Sequence, residues 1–290
     1  MRIQTLFALA LLYFSPIAAH AQEAVTLRYK FMPGQTRHYK MTMTMNTTIL
    51  TGQSGAGVPM NMTMTTTLNQ TVKSVRPSDG AATVVAQLED MQMTMNGKET
   101  SLPAAQQAPM RKPFTSVMLP TGKVLSMQIP SMPSAGMAGM DFSKGLFNST
   151  VSFPVAPVKV GDTWPGSAAS GMVGMKMLMA STLTSLETKD GSQDATISQK
   201  LSGLFNMTLS KKMPMTMKMA GRLTGFGTQV FDMTLGAIRS QSMTASTEMT
   251  MTVHSKSGQA ALPGMPKVMK MKMQQKTQMD LVDDAAPTSP

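Results

Sequence analysis

Methionine recurs at every second position in run after run of this chain. The runs are Met41-Thr-Met43-Thr-Met45, Met60-Asn-Met62-Thr-Met64, Met91-Gln-Met93-Thr-Met95, Met175-Lys-Met177-Leu-Met179, Met213-Pro-Met215-Thr-Met217-Lys-Met219, Met249-Thr-Met251 and Met269-Lys-Met271-Lys-Met273. Residues at i and i+2 share one face of a strand but point about 200° apart around a helix. Only extended structure can gather these sulfurs on one side. The intervening threonines are β-branched and agree with it. The alternation predicts strands over 41–50, 60–75, 91–95, 175–186, 213–219, 243–253 and 268–282.

Pro77-Ser78-Asp79-Gly80 and Lys189-Asp190-Gly191 each sit between alternating runs and predict tight hairpins. Segments 51–59, 96–113, 130–150 and 255–266 are rich in Gly, Pro or Ser and read as surface loops. The two Asp-Gly turns stand 111 positions apart (190 − 79), and on that offset Met64 matches Met175, Val72 matches Leu183 and Val75 matches Leu186. Leu119-Pro-Thr-Gly122-Lys-Val124 matches Phe231-Asp-Met-Thr-Leu-Gly236-Ala-Ile238, and Pro33-Gly34-Gln35-Thr36 with Tyr39 matches Val160-Gly161-Asp162-Thr163 with Trp164. An internal duplication explains the echo. The expected fold is all-β and antiparallel, with two pseudo-repeats forming a curved open sheet or paired half-barrels.

Arg2, the apolar run 6–14 and Ala19-His20-Ala21 read as a secretory signal, cleaved near Ala21. The expected organisation is a signal over 1–21, β repeats over 22–150 and 151–282, and a disordered tail over 283–290. The expected location is the periplasm, or outside the cell. With no cysteine, disulfides, thiolate metal sites and cysteine nucleophiles are excluded. A net charge of +11 favours anionic surfaces such as lipid head groups, although solubility of an exported protein is the simpler explanation. The lysines are dispersed and not interleaved with aromatics, so nucleic-acid binding is not expected. Oligomeric state is left open.

Catalytic constellations are thin. His20 falls in the signal, leaving His38 and His254; no Gly-x-Ser-x-Gly elbow is present; and Gly221-Arg-Leu-Thr-Gly225-Phe-Gly227 does not open a helix after a strand. Glu89 and Asp90 are neighbours in a strand and should face opposite ways. Trp164, the one tryptophan, reads as a core anchor. A non-catalytic protein with no cofactor is the expectation.

The segments LRYKFMPGQTRHYKM, FPVAPVKVGDTW and VFDMTLGAIRS resemble those of an uncharacterised family of exported bacterial methionine-rich, duplicated β proteins. The resemblance rests on turn glycines and aromatic anchors and implies a fold, not an activity. In architecture alone, the expected sheet also resembles the open barrels of lipoprotein carriers.

The 35 methionines admit several readings. They can simply be core, each contributing roughly 1.5–3 kcal/mol when buried. Yet a plain sheet core favours stiff Val and Ile, whereas thioethers are pliable and polarisable. A Met-lined apolar face could hold a lipid-like or lipoprotein-like ligand. It could alternatively bind Cu(I), for which thioethers are suitably soft. Sulfurs at i and i+2 lie about 7 Å apart, so a copper site needs a ligand from the next strand. A sink for oxidants is the third possibility and requires exposed sulfur.

Overall fold

A computed structural model describes residues 23–51, 57–101, 104–128, 151–166, 175–189, 191–209, 215–255 and 268–285. Twelve strands form one sheet: β1 (Thr36–Thr51), β2 (Gly57–Val75), β3 (Ala82–Met95), β4 (Lys98–Thr100), β5 (Phe114–Met118), β6 (Val124–Gln128), β7 (Thr163–Gly166), β8 (Met175–Lys189), β9 (Ser192–Leu209), β10 (Met215–Asp232), β11 (Ala237–Ser255) and β12 (Val268–Ala285). One short helix, α1 (Ala104–Met110), lies between β4 and β5. The order is β6-β5-β3-β2-β1-β12-β11-β10-β9-β8-β7, with β4 paired to β3. All pairings are antiparallel and the sheet is open.

This order places two five-strand meanders on either side of β12. Strands β1, β2, β3, β5 and β6 correspond in sequence to β7 through β11. Corresponding turns carry glycines with positive φ: Gly34 and Gly161, Gly80 and Gly191, Gly122 and Gly236. Corresponding strands carry matching bulges. Lys73 is the extra residue of β2 and Thr184 that of β8, on the same offset as the Asp-Gly turns. Leu125 of β6 and Arg239 of β11 each stand three places beyond their turn glycine. Bulges strengthen local twist, so both arms curl alike.

The core fills one end of the sheet. Residues 23–35 cross that end, hydrogen-bonding Val158 through Val25, Pro120 through Tyr29, Gly236 through Lys30 and Val72 through Gly34. The 151–162 segment joins them, with the Phe153 amide donating to the Thr121 carbonyl and the Trp164 indole to that of Ser152. Around this plug one buried cluster draws Leu68, Ala86, Leu88 and Phe114 from one arm and Leu183, Ala195, Ile197 and Trp164 from the other. Two arms can meet one core only if the face between them is concave. Gly122 sits inside the crossing, where a Cβ would collide with the Val151 carbonyl and the Tyr29 ring.

Several expectations are corrected. The loop expected over 96–113 contains β4 and α1, and β2 begins inside the loop expected over 51–59. Strand β9 follows the hairpin expected at 189–191 but had no range assigned to it, the four short strands β4 to β7 were not expected, and β3 and β10 extend well beyond the methionine runs. Strand β12 pairs with β1 as far as Ala285, three residues into the expected tail. Glu89 and Asp90 are not neighbours of a regular strand, because Asp90 has φ 49° at a bulge. The signal, the 130–150 loop and residues 286–290 lie outside the described residues.

Candidate ligand-binding face

In an antiparallel meander, the end of one strand lies beside the start of the next. The methionine runs exploit this: those of β3 and β11 sit late in their strands, that of β1 in the middle, and those of β2, β8, β10 and β12 early. Most therefore fall toward the end of the sheet opposite the plug, while Met41 packs against the core. Register aligns Met43 with Met64 and Met64 with Met93, then Met45 with Met62 and Met62 with Met95. Two rows of three thioethers thus cross β1, β2 and β3, with Cβ atoms of paired residues about 4.5–5.5 Å apart. Met41 pairs with Met279 at the core margin, and Met60 and Met273 flank Thr47.

A second group crosses β10, β11 and β12, where Met219 pairs with Met251, Met251 with Met269, and Met249 with Met271. Opposite Met249 stands Gly221, where a Cβ would strike the Glu248 carbonyl and the Phe205 ring. The missing side chain lets the Phe205 ring lie across the strand at Gly221. Met217 pairs with Val253, while Met177 and Met179 of β8 pair with Gly203 and Leu201. Met175 and Met215 are placed by register alone, opposite Phe205 and Ser255. Met213 lies outside the described residues.

These positions share their strand face with the core. Met43 and Met219 are buried, Met60 and Met95 exposed, and Met41, Met45, Met62, Met64, Met91, Met93, Met177, Met179, Met217, Met249, Met251, Met269, Met271 and Met273 half-buried. The opposite face carries Lys270, Lys272, Lys276 and Lys218, all exposed. Three contributors escaped the sequence reading. Met243 and Met279 keep the inward parity of their strands and could have been found by extending the alternation. The third is a buried polar belt between plug and methionine rows, formed by Ser181, Gln199, Gln229 and Gln241. Alternation of apolar residues gives no signal for it. Gln199 donates to the Met179 sulfur at 3.7 Å.

The clefts among the described residues are small. A cleft of about 70 Å³ is lined by Arg37, Tyr39, Met41, Leu68, Phe114 and Met279, among others. Another of about 50 Å³ is lined by Met64, Met91, Met93, Thr100, Ser101 and Gln107. Drug-sized ligands need about 300–1,000 Å³. A large apolar ligand fits neither cleft, and the open concave face is the larger apolar surface among the described residues.

Burial raises the Tyr29 hydroxyl far above the ordinary phenol range, so it stays neutral beside Gln229. Asp232, wholly buried, accepts from the Thr234 and Leu235 amides at 2.9 and 2.8 Å and pairs with Arg239 at 2.5 Å. His38 contacts Asn69 at 2.6 Å. Among the described residues, no three His, Asp or Glu side chains come together at metal-binding distance.

No family model matches the chain, and no curated protein matches it. It is similar to lipovitellin, in a structure concerned with lipid–protein interactions, with TM-score 0.54 and 8% identity over 90% of this chain and 26% of that one. The chain thus spans about a quarter of the lipovitellin chain. It also aligns with OmpF of Salmonella typhi in complex with daunomycin at TM-score 0.25, 8% identity and coverages of 85% and 98%. A DUF1329 family protein of Desulfovibrio piger aligns at TM-score 0.12, 12% identity and 88% of both chains. Neither of these two scores carries a structural argument. At these identities the lipovitellin likeness is one of fold: an open, curved antiparallel sheet.

Proposed function

We propose that this is a non-catalytic binding protein of the periplasm that holds a lipid-like ligand against its concave, methionine-lined face. The observation that carries the reading is the pair of thioether rows across β1, β2 and β3. They are continuous with the core face yet left half-covered. Covering a half-exposed methionine contributes a sizeable fraction of the roughly 1.5–3 kcal/mol of full burial. Thioether chains re-pack around flexible acyl shapes without a fixed mould. The lipovitellin-like sheet is compatible with this role, and the architectural likeness to lipoprotein carriers points the same way.

Native mass spectrometry of protein isolated gently from its own cells is expected to show a co-purifying lipid. An acyl-chain fluorescent probe is expected to bind and to weaken about tenfold or more in the double variant Met45→Asp, Met62→Asp. These paired residues lie away from the plug, so the circular dichroism should not change. A clean unliganded mass together with an indifferent probe would sink the proposal.

One observation favours Cu(I) as a second reading. Met64, Met91 and Met93 line a single cleft of about 50 Å³ together with Thr100, Ser101 and Gln107. Three thioethers from adjacent strands supply the soft donors that one Met-x-Met strand lacks. Thioethers bind no proton in the physiological range, so affinity in an anaerobic Cu(I) titration should stay flat between about pH 5 and 8, unlike that of a His or Cys site. No saturable binding against a competing chelator would exclude it. The oxidant-sink reading has less support, because the runs face inward.

A further inference from the structure

The convex face of the sheet carries a surface that the ligand site does not use. Its outward positions are mostly Thr, Ser, Gln and Lys, but Leu178, Leu204 and Phe226 also point outward, 74%, 71% and 67% exposed. All three lie on consecutive strands, β8, β9 and β10. Register puts Leu178 opposite Ser202, with Leu204 two residues further along β9. Leu204 pairs with Arg222, and Phe226 pairs with Lys200.

Cations are interleaved with these side chains. Beyond Arg222 on the same ladder row come Glu248 and then Lys272, and beyond Phe226 come Thr244 and then Lys276. Glu248 is held between two cations, 2.7 Å from Arg222 and 3.7 Å from Lys272. One carboxylate against Lys200, Arg222, Lys272 and Lys276 leaves the patch positive. With strands about 4.8 Å apart and about 3.3 Å per residue, the patch is about 20 Å across.

We infer that this patch docks the protein on an anionic lipid surface. Leu178, Leu204 and Phe226 would enter the head-group boundary, and the surrounding cations would pair with phosphates. Two features favour a membrane over a protein partner. The apolar side chains stand on a convex surface with Ser202 and Thr224 between Leu204 and Phe226 and with cations as their row partners, whereas the centre of a protein interface is contiguous and depleted of charge. Apolar prongs ringed by Lys and Arg are also the pattern that interfacial binding requires. The inference concerns the opposite side of the sheet from the ligand face and does not depend on it.

The test is co-sedimentation of the full chain with vesicles of phosphatidylglycerol mixed with phosphatidylethanolamine, beside vesicles of phosphatidylcholine alone. Binding is expected only to the anionic vesicles, and should fall steeply as salt rises from about 0.05 to 0.5 M. The variant Lys200→Glu, Lys272→Glu, Lys276→Glu should weaken it by at least about tenfold. Leu178→Ser with Phe226→Ser should weaken it at constant charge. Both variants should keep acyl-probe binding, and Met45→Asp, Met62→Asp should keep vesicle binding. Equal binding to neutral vesicles, no binding to either, or indifference to both outward variants overturns the inference. So does self-association or capture of an acidic protein that the same variants abolish while vesicle binding persists.

Discussion

Phe231→Ala is expected to lower the unfolding free energy by about 3–5 kcal/mol, the range for truncating a fully buried aromatic ring. Phe231 is wholly buried at the end of β10. Its ring meets Tyr29 edge-on at 5.2 Å and Phe153 at 4.7 Å, while Tyr29 and Phe153 stack on each other at 5.2 Å. The three rings come from β10, from the 23–35 crossing and from the 151–162 segment, so one truncation loosens every part of the plug at once. Aromatic pairs of this geometry add roughly 0.5–1.5 kcal/mol beyond burial. Against a typical total of about 5–15 kcal/mol, the loss threatens folding itself. Urea unfolding should show a lower midpoint at nearly unchanged slope. Phe226→Ala, exposed on the same strand, should stay within about 0.5 kcal/mol. Equal effects of the two substitutions would mean that the plug does not hold the arms together.

The same residues show what a sequence can and cannot disclose. Period-two methionine and threonine located seven strands because parity is written directly into the side chains. It failed on β9, where the inward positions run Ala195, Ile197, Gln199, Leu201, Gly203 and Phe205. Glutamine and glycine interrupt the apolar stripe there. It failed likewise on β10 beyond Met219, where the inward Gly221, Gly225 and Gly227 leave the face blank so that neighbouring strands can approach. The turn glycines were legible because only their backbone conformation matters. The crossing of residues 23–35 was not, since its partners lie in remote turns and leave no periodic trace. The shared end of the methionine runs followed from antiparallel order once the strands were connected. The outward Leu178, Leu204 and Phe226 break the alternation, and only their exposure separates them from core residues.

Asp90→Val should turn three methionines out of the ligand face. Leu88 is buried in the core and Met91 belongs to the inward rows, yet they are three residues apart, which in a regular strand means opposite faces. A bulge reconciles them. Asp90 and Met91 together oppose Thr66, Asp90 takes φ 49°, and the Thr66 hydroxyl donates to the Glu89 carbonyl at 2.7 Å. Aspartate tolerates this left-handed conformation, whereas a β-branched side chain resists it by about 1–2 kcal/mol or more. A strand that abandons the bulge regains regular geometry only by exchanging faces beyond Leu88. Met91, Met93 and Met95 then point outward, the rows shared with Met62 and Met64 dissolve, and acyl-probe binding is lost. Peptide mapping after mild oxidation should find the half-buried Met91 and Met93 newly reactive, whereas Met95 is exposed from the start. Asp90→Gly, free to adopt positive φ, should bind the probe normally. Deletion of Asp90 should also spare the face, because removing the extra residue leaves Leu88 and Met91 two apart and in phase. If Asp90→Val and Asp90→Gly behave alike, the bulge is not what aims the methionines.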